Sequence, residues 1–358
     1  MSAEILEHVW AANATRLLGD GVPGGDVNGA QANVRQWEQW YPYWAGRGDR
    51  YEGLAREAVK KGRRKSAGEL FWHASLSYHY AQFLWFHDPG NREAGQRRKV
   101  ALYREAAPLF DPPAERFDIA FDNFNIPGYL RLPRGGAGRV PVVLILGGLE
   151  STKEESYLFE NRCLARGLAT CTFDGPGQGE LFFQAKLRPD FHRFASTVID
   201  WLGARPQIDL GRLGVIGRSL GGFYALHCAA HEPRIRACIA WGVLFDLSYY
   251  DTMAPVSALG FAYVAGYADR HSAAAYLKQT LNLAGTAERV RIPVYALHGA
   301  RDTLIPASQV DKLRAALAAN PDVTFDLPAE GDHCCHNLYH VVRPRMADWA
   351  AERLGGSV

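Results

Sequence analysis

The sequence holds no run approaching the ~18 consecutive apolar residues that a membrane-spanning helix needs, which predicts a protein without a membrane anchor. It also has little charge of either sign to spare. Forty Lys and Arg against 38 Asp and Glu leave a formal charge of +2, so no strongly polarised partner is implied. Basic residues do cluster at Lys60-Lys61-Gly62-Arg63-Arg64-Lys65 and Arg97-Arg98-Lys99. No nucleic-acid motif accompanies them, and they read as solvated helix faces, with no nucleic-acid partner expected. Cysteine is scarce. Residues 163, 171, 228, 238, 334 and 335 mostly sit inside apolar stretches rather than at disulfide-framework spacings, as for reduced thiols of a cytoplasmic protein. Met1 to Trp10 carries Glu4 and Glu7 where a secretory signal has a basic start and an apolar centre, so no signal peptide is expected. A dinucleotide fingerprint is missing as well. Asp174-Gly-Pro-Gly-Gln-Gly-Glu180 has the wrong spacing and reads as a tight turn at an active-site rim. No cofactor is expected, and no internal repeat or low-complexity tract is present.

What is present divides the 358 residues in two. Residues 1–114 contain six of the nine tryptophans, and Leu70, Phe71, Ala74, Tyr78, Ala81 and Leu84 recur at helical spacing between Ser66 and Phe86. Asp49 to Lys61 and Arg92 to Ala107 also read as helices, with a loop at Gly21–Gly25. A helical N-terminal domain is expected. After Asp111-Pro112-Pro113 the period changes, and residues 115–358 read as the second domain. Glu115 to Leu132 alternates like a hairpin turning at Pro127-Gly128. Short apolar runs then alternate with helical segments: 140–146, 169–173, 213–216, 237–241, 294–297 and 323–327. That rhythm predicts an α/β class protein, a mostly parallel sheet with helices on both faces. It breaks at about 245–287, the place for a small cap insertion.

Gly217-Arg218-Ser219-Leu220-Gly221 follows the apolar run 213–216 and precedes a helical stretch. Strand, G-x-S-x-G and helix in that order form a nucleophile elbow, where flanking glycines make room for a sharp turn. A serine hydroxyl needs a base, and the base an orienting acid. In this context they follow in the order Ser, Asp/Glu, His. Asp302, just past 294–297, and His333, just past 323–327, stand where the acid and base belong. Acyl transfer also needs donors for an oxyanion: the amide of Leu220, and one from Gly147-Gly148-Leu149-Glu150, either Gly148 or Leu149. His298 and His336 read as structural, and Asp332 as a turn residue. His333-Cys334-Cys335-His336 lacks the C-x₂₋₄-C spacing of a zinc site, and no metal is expected.

The same segments carry a resemblance. Gly147 to Glu155, Asp174 to Gly179, Gly217 to Gly222 and Gly331-Asp332-His333-Cys334-Cys335-His336-Asn337-Leu338 resemble the 2,6-dihydroxypseudooxynicotine hydrolase group. This group lies within the α/β-hydrolases that include fermentation–respiration switch esterases and fungal pigment hydrolases. The resemblance covers the chain from about 115 onward. It implies an α/β-hydrolase fold, with a helical N-terminal domain that acts as a lid or in dimerisation, and a homodimer. It also implies carbon–carbon bond hydrolysis of a 1,3-dicarbonyl-like or aryl ketone substrate, with Ser219, Asp302 and His333 as nucleophile, acid and base. The nicotine-degrading member places an acid shortly after the strand that here ends at Trp241; Met253 aligns with it, and Asp246 and Asp251 are the neighbouring acids. Asp246, Tyr250, Asp251 and Met253 are therefore candidate substrate contacts, and Glu150, in the loop after 140–146, is either another or a solvated loop acid. Ester hydrolysis, acyl elimination or acyl transfer would use the same three residues, and a non-catalytic ligand-binding role is the remaining alternative.

Overall fold

The computed structural model describes residues 2–135 and 138–357. It divides into two compact units, one of residues 1–116 and 154–158, the other of residues 117–153 and 159–358.

The first unit is helical: α1 (Ser2–Gly19), α2 (Gly24–Asn33), α3 (Trp40–Lys60), α4 (Arg64–Gln82) and α5 (Pro89–Ala106). Two of these depart from the sequence expectation. Gly24 and Gly25 open α2 rather than lying in a loop, and α3 begins nine residues before Asp49. The glycines that disguise α3 have a packing purpose. A Cβ on Gly48 would lie 2.6 Å from the Tyr78 ring, so its absence lets α3 and α4 approach closely. Trp37, Trp40 and Trp44 are fully buried and, with Trp10 and Trp85, pack ring against ring at centroid separations of 5.3–5.6 Å, Trp37 and Trp40 stacked and the other pairs edge-on or tilted. The Trp40 indole donates to the Tyr80 carbonyl at 2.6 Å, so its polar edge is satisfied. These aromatics are core. Lys60 to Lys65 is exposed as expected, but Lys99 is fully buried and pairs with Glu154 at 3.1 Å. A solvated face is the wrong reading for that residue.

The second unit is built on an eight-stranded sheet among the described residues, in the order β1-β2-β4-β3-β5-β6-β7-β8. The strands are β1 (Ala114–Phe121), β2 (Phe124–Arg131), β3 (Val140–Leu146), β4 (Ala169–Phe173), β5 (Ile208–Arg218), β6 (Ile235–Trp241), β7 (Val294–Leu297) and β8 (Val323–Asp326). β2 runs antiparallel to β4, and β4 through β8 pair in parallel. The turn between β1 and β2 is Asp122-Asn123, with Asp122 at φ 49°, not Pro127-Gly128. Gly128 is inside β2 because the Phe117 ring lies over it; a Cβ there would sit 2.1 Å from that ring. Helices α6 (Tyr157–Leu164), α7 (Phe191–Gly203), α8 (Leu220–His231), α9 (Pro255–Val264), α10 (Arg270–Thr280), α11 (Ser308–Ala316) and α12 (Tyr339–Leu354) complete the chain. One apolar core lies between the sheet and α7, α8 and α11, extending into α9 and α10 of the cap insertion. The other joins the opposite face to α6 and α12. Both faces are covered, as the continuous apolar strands require.

Candidate active site

β5 ends at Arg218 and α8 begins at Leu220, so Ser219 alone makes the turn, at φ 58° and ψ −118°. This left-handed backbone is costly for a residue with a Cβ and persists only where its surroundings hold it. Here the surroundings are close backbone. A Cβ on Gly217 would meet the Gly221 carbonyl oxygen at 1.8 Å, and one on Gly221 would meet the Leu146 oxygen at 2.3 Å. The Ser219 amide donates to the Trp241 carbonyl at 2.7 Å, fixing the elbow to β6.

Asp302 follows β7 and His333 follows β8, at the same carboxyl edge of the sheet. His333 Nε2 lies 3.0 Å from Ser219 Oγ, and Nδ1 lies 2.8 Å from Asp302 Oδ2. The other Asp302 oxygen accepts the amides of Leu304 and Ile305 at 2.8 and 2.9 Å. Burial opposes ionisation of Asp302, but His333 and these amides outweigh it and hold the carboxyl below its ordinary value. Burial also works against a charged His333. Asp302 and Cys334 nonetheless raise it well above its ordinary value. Cys334 lies beside the base, its Sγ 3.4 Å from His333 Nε2, with its backbone at φ 55°. Trp241 holds that loop by donating from its indole to the Cys334 carbonyl at 2.5 Å. Cys334 and Cys335 are both buried and free.

The loop after β3 approaches the elbow from the other side. A Cβ on Gly148 would lie 2.9 Å from the Arg218 oxygen and 3.2 Å from Ser219 Cβ, so glycine is what allows the approach. Glu150 is half-buried just beyond it. Gln178, which sequence reading passed over, lies in the turn after β4. Its Nε2 donates to the carbonyls of Gly147 and Gly148 at 2.7 and 3.0 Å, while its Oε1 accepts the Gly175 amide at 3.0 Å. The turn is itself anchored by Asp174, which accepts the Glu180 amide at 3.0 Å and pairs with the buried Lys153 ammonium at 2.6 Å. The D-G-P-G-x-G pattern thus presents a glutamine to the loop beside the nucleophile.

The cap candidates each have partners of their own. Asp246 is bound by Lys312 at 2.6 Å, by Gln309 at 3.0 Å and by the Ser248 amide at 3.0 Å. Asp251 is exposed and pairs with Lys278 at 2.5 Å. The Tyr250 hydroxyl donates to the Ala258 carbonyl at 2.9 Å, inside the cap. Met253 is buried in the apolar core. The sequence expects substrate contacts at these four positions; each side chain already has a partner or a packed place, Asp246 against α11 and the others within the cap. Tyr249 is the neighbouring cap residue that senses the charge of the triad. Burial, then the charges of Asp302 and Asp246, raise its phenol, which places it within electrostatic reach of the acid behind His333. His298 is structural as expected, with Nδ1 accepting the Val243 amide at 3.2 Å. His336 is also buried, its ring 6.3 Å from that of His333. Asp332 exchanges hydrogen bonds with Asn337 in a turn.

A doubly covered parallel sheet with Ser, Asp and His at its carboxyl edge defines a hydrolase of the α/β-hydrolase fold. The chain belongs to the FrsA-like esterase family, whose pattern it matches over residues 35–315. It is 43% identical to the 2,6-dihydropseudooxynicotine hydrolase of Paenarthrobacter nicotinovorans, over 94% of this chain and 90% of that one. A crystal structure of a 2,6-dihydroxy-pseudo-oxynicotine hydrolase superposes with a TM-score of 0.88 at 42% identity, covering 96% of this chain and 97% of the other. The α/β hydrolase xenA of Xenoacremonium sinensis is 34% identical over 65% of this chain and 59% of its own length. No helix among the described residues is long and apolar enough to cross a membrane.

Proposed function

We infer that this hydrolase cleaves a carbon–carbon bond of an aryl ketone or 1,3-dicarbonyl-like substrate through an acyl-enzyme. The observation that carries this reading is the Ser219–His333–Asp302 relay in a chain 43% identical, over nearly its whole length, to a pseudooxynicotine hydrolase. Ser219 Oγ attacks the ketone carbonyl, and His333 Nε2 takes its proton while Asp302 holds the imidazole. The amide of Leu220 and one from the Gly148–Leu149 loop receive the oxyanion. As the tetrahedral intermediate collapses, the carbon–carbon bond breaks and its electron pair leaves on a carbanion delocalised into a ring or second carbonyl. His333 returns the proton to that carbon. A water, deprotonated by His333, then attacks the acyl carbon and releases the carboxylic acid and Ser219.

Within the cap the polar group assigned to substrate is the Tyr249 hydroxyl, because Asp246 and Asp251 are held by lysines. A second reading, ester hydrolysis, is favoured by the description of the family itself. The two differ only in the leaving group. The test is a comparison of 2,6-dihydroxypseudooxynicotine, aryl β-diketones and p-nitrophenyl acetate, with and without Ser219→Ala. Rapid ester turnover with no ketone cleavage would sink the carbon–carbon assignment. Heavy-oxygen label from solvent water should appear in the released acid; its absence would point to elimination or acyl transfer. The homodimer implied by the resemblance belongs to the same reading, and light scattering of the purified chain tests it.

A further inference from the structure

α8 carries the nucleophile at one end and two histidines at the other. His227 and His231 stand four residues apart, so they share one face of the helix, at its last turn. His192, the second residue of α7, brings a third imidazole to them. The ring centroids are 4.4 Å apart for His192–His231, 4.4 Å for His227–His231 and 5.0 Å for His192–His227. One ring nitrogen from each residue lies within 4.8 Å of the other two.

We propose that His192, His227 and His231 form a binding site for a divalent transition-metal ion of the zinc or nickel type, tying α7 to α8. Several observations independent of the spacing support it. Nδ1 of His192 and Nδ1 of His227 are buried and have no hydrogen-bond partner, although a buried polar nitrogen ordinarily finds one. His231 already uses Nδ1 against the His227 carbonyl at 2.8 Å, which leaves Nε2 as its ligand atom. A metal-bound imidazole commonly has its second nitrogen held in this way. Three neutral nitrogen donors suit zinc and nickel and offer nothing to calcium or magnesium, which take oxygen.

The charged groups around the site pull both ways. Arg289 Nη1 is 3.4 Å from His231 Nε2 and would have to swing aside, giving up the 2.9 Å bond from its Nη2 to the Ala230 carbonyl. Asp190, beside α7, favours a cation, although Arg188 and Arg193 share its charge. His231 is the last residue of α8, where the carbonyl ends of the helix also favour positive charge. Tetrahedral coordination at about 2.0–2.1 Å brings ligand nitrogens to roughly 3.3 Å apart, so small rotations of partly exposed rings close the site. Three protein ligands leave a fourth position for water. Sequence reading missed the site because His-x₃-His is short, and His192 is distant in the chain.

The test uses the full-length, tag-free chain, stripped with chelator and titrated calorimetrically with Zn²⁺ and separately with Ni²⁺. One ion per chain is expected, with melting raised by about 5 °C or more in excess metal. H227Q/H231Q and His192→Gln should each weaken binding at least tenfold and abolish the rise, while His340→Gln, on the surface, should change neither. Should a variant fold poorly, anomalous scattering from parent crystals grown with Zn²⁺ decides the matter by placing the ion between these rings or elsewhere. Absence of stoichiometric binding by the parent, undiminished binding by the double variant, or an ion located elsewhere would each overturn the proposal.

Discussion

The side-chain nitrogen of Gln178 lies 2.7 Å from the carbonyl oxygen of Gly147 and 3.0 Å from that of Gly148. In a trans peptide the N–H points opposite to the carbonyl of the same plane. Gln178 therefore fixes the direction in which the amides of Gly148 and Leu149 point, and those are the amides assigned to the oxyanion. Gln178→Ala should lower kcat about tenfold or more with KM little changed, less than the hundredfold or greater loss typical when a donor is removed outright. Gln178→Glu keeps the acceptor for Gly175 but loses the donor, and should be no better than alanine. A rise in KM alone would show a binding role instead of a positioning one.

Asp302 fixes the His333 tautomer through a 2.8 Å contact while two backbone amides hold its other oxygen. Asp302→Asn preserves the shape but presents the wrong hydrogen-bonding group. Turnover should fall by about 10³–10⁴ in a variant that still folds. Retention of a tenth of the parent rate would remove Asp302 from the relay.

The base must be unprotonated to accept the Ser219 proton. Because His333 is raised above 6.5, the acid limb of kcat/KM should have its midpoint above pH 6.5, with activity falling about tenfold per unit below it. Stability runs the other way. The contribution of the His333–Asp302 pair through this histidine is complete below pH 6.5 and is lost as pH rises through the folded value. An acid limb centred at pH 6 or lower would contradict the raising of His333 by Asp302 and Cys334.

Asp246 separates structural from substrate roles in the cap. Burial works against its charge, but Lys312, Gln309 and Ser248 push the carboxyl down to about 2, so its stabilising effect is present above pH 3.8 and fades as pH falls through about 2. The pair with Lys312 is partly exposed, which limits it to about 1 kcal/mol. Asp246→Asn should lower melting by a few degrees and leave kcat/KM within twofold. A large loss of activity in a stably folded variant would return Asp246 to the substrate.

Gly217 and Gly221 close the elbow on backbone that cannot move aside. Alanine at either should cost at least about 1–3 kcal/mol, read in denaturant melts, and inactivate what does fold. An active, normally stable Gly221→Ala would mean that the packing around Ser219 is looser than these contacts.

The strands at 140–146, 169–173 and 294–297 are legible to the residue in the sequence, because buried parallel strands must be continuous apolar runs. The order Ser219, Asp302, His333 is legible for a related reason: each lies beyond the carboxyl end of a strand, the first two after fully buried runs. What escaped depends on contacts distant in sequence. Gly128 looks like a turn until Phe117 is seen above it, and Gly48 looks like a helix breaker until Tyr78 is. Tyr249 and Tyr250 are adjacent and alike in type, and only the folded cap distinguishes the one near Asp302 from the one tied to Ala258. Lys99 belongs to a basic run by sequence, yet it lies in the interior beside Glu154.

That lysine has a consequence for how the protein can be divided. Residues 154–158 come from the middle of the hydrolase sequence yet belong to the helical unit, where Glu154 answers Lys99 and Glu155 answers Arg16 at 2.9 Å. A cut after residue 116 would therefore strand two buried carboxylates without their cations, at a cost of several kcal/mol. The helices are not an appendage that a gene could gain or shed at one junction. The two units are interleaved along the chain, so a single cut cannot separate them cleanly.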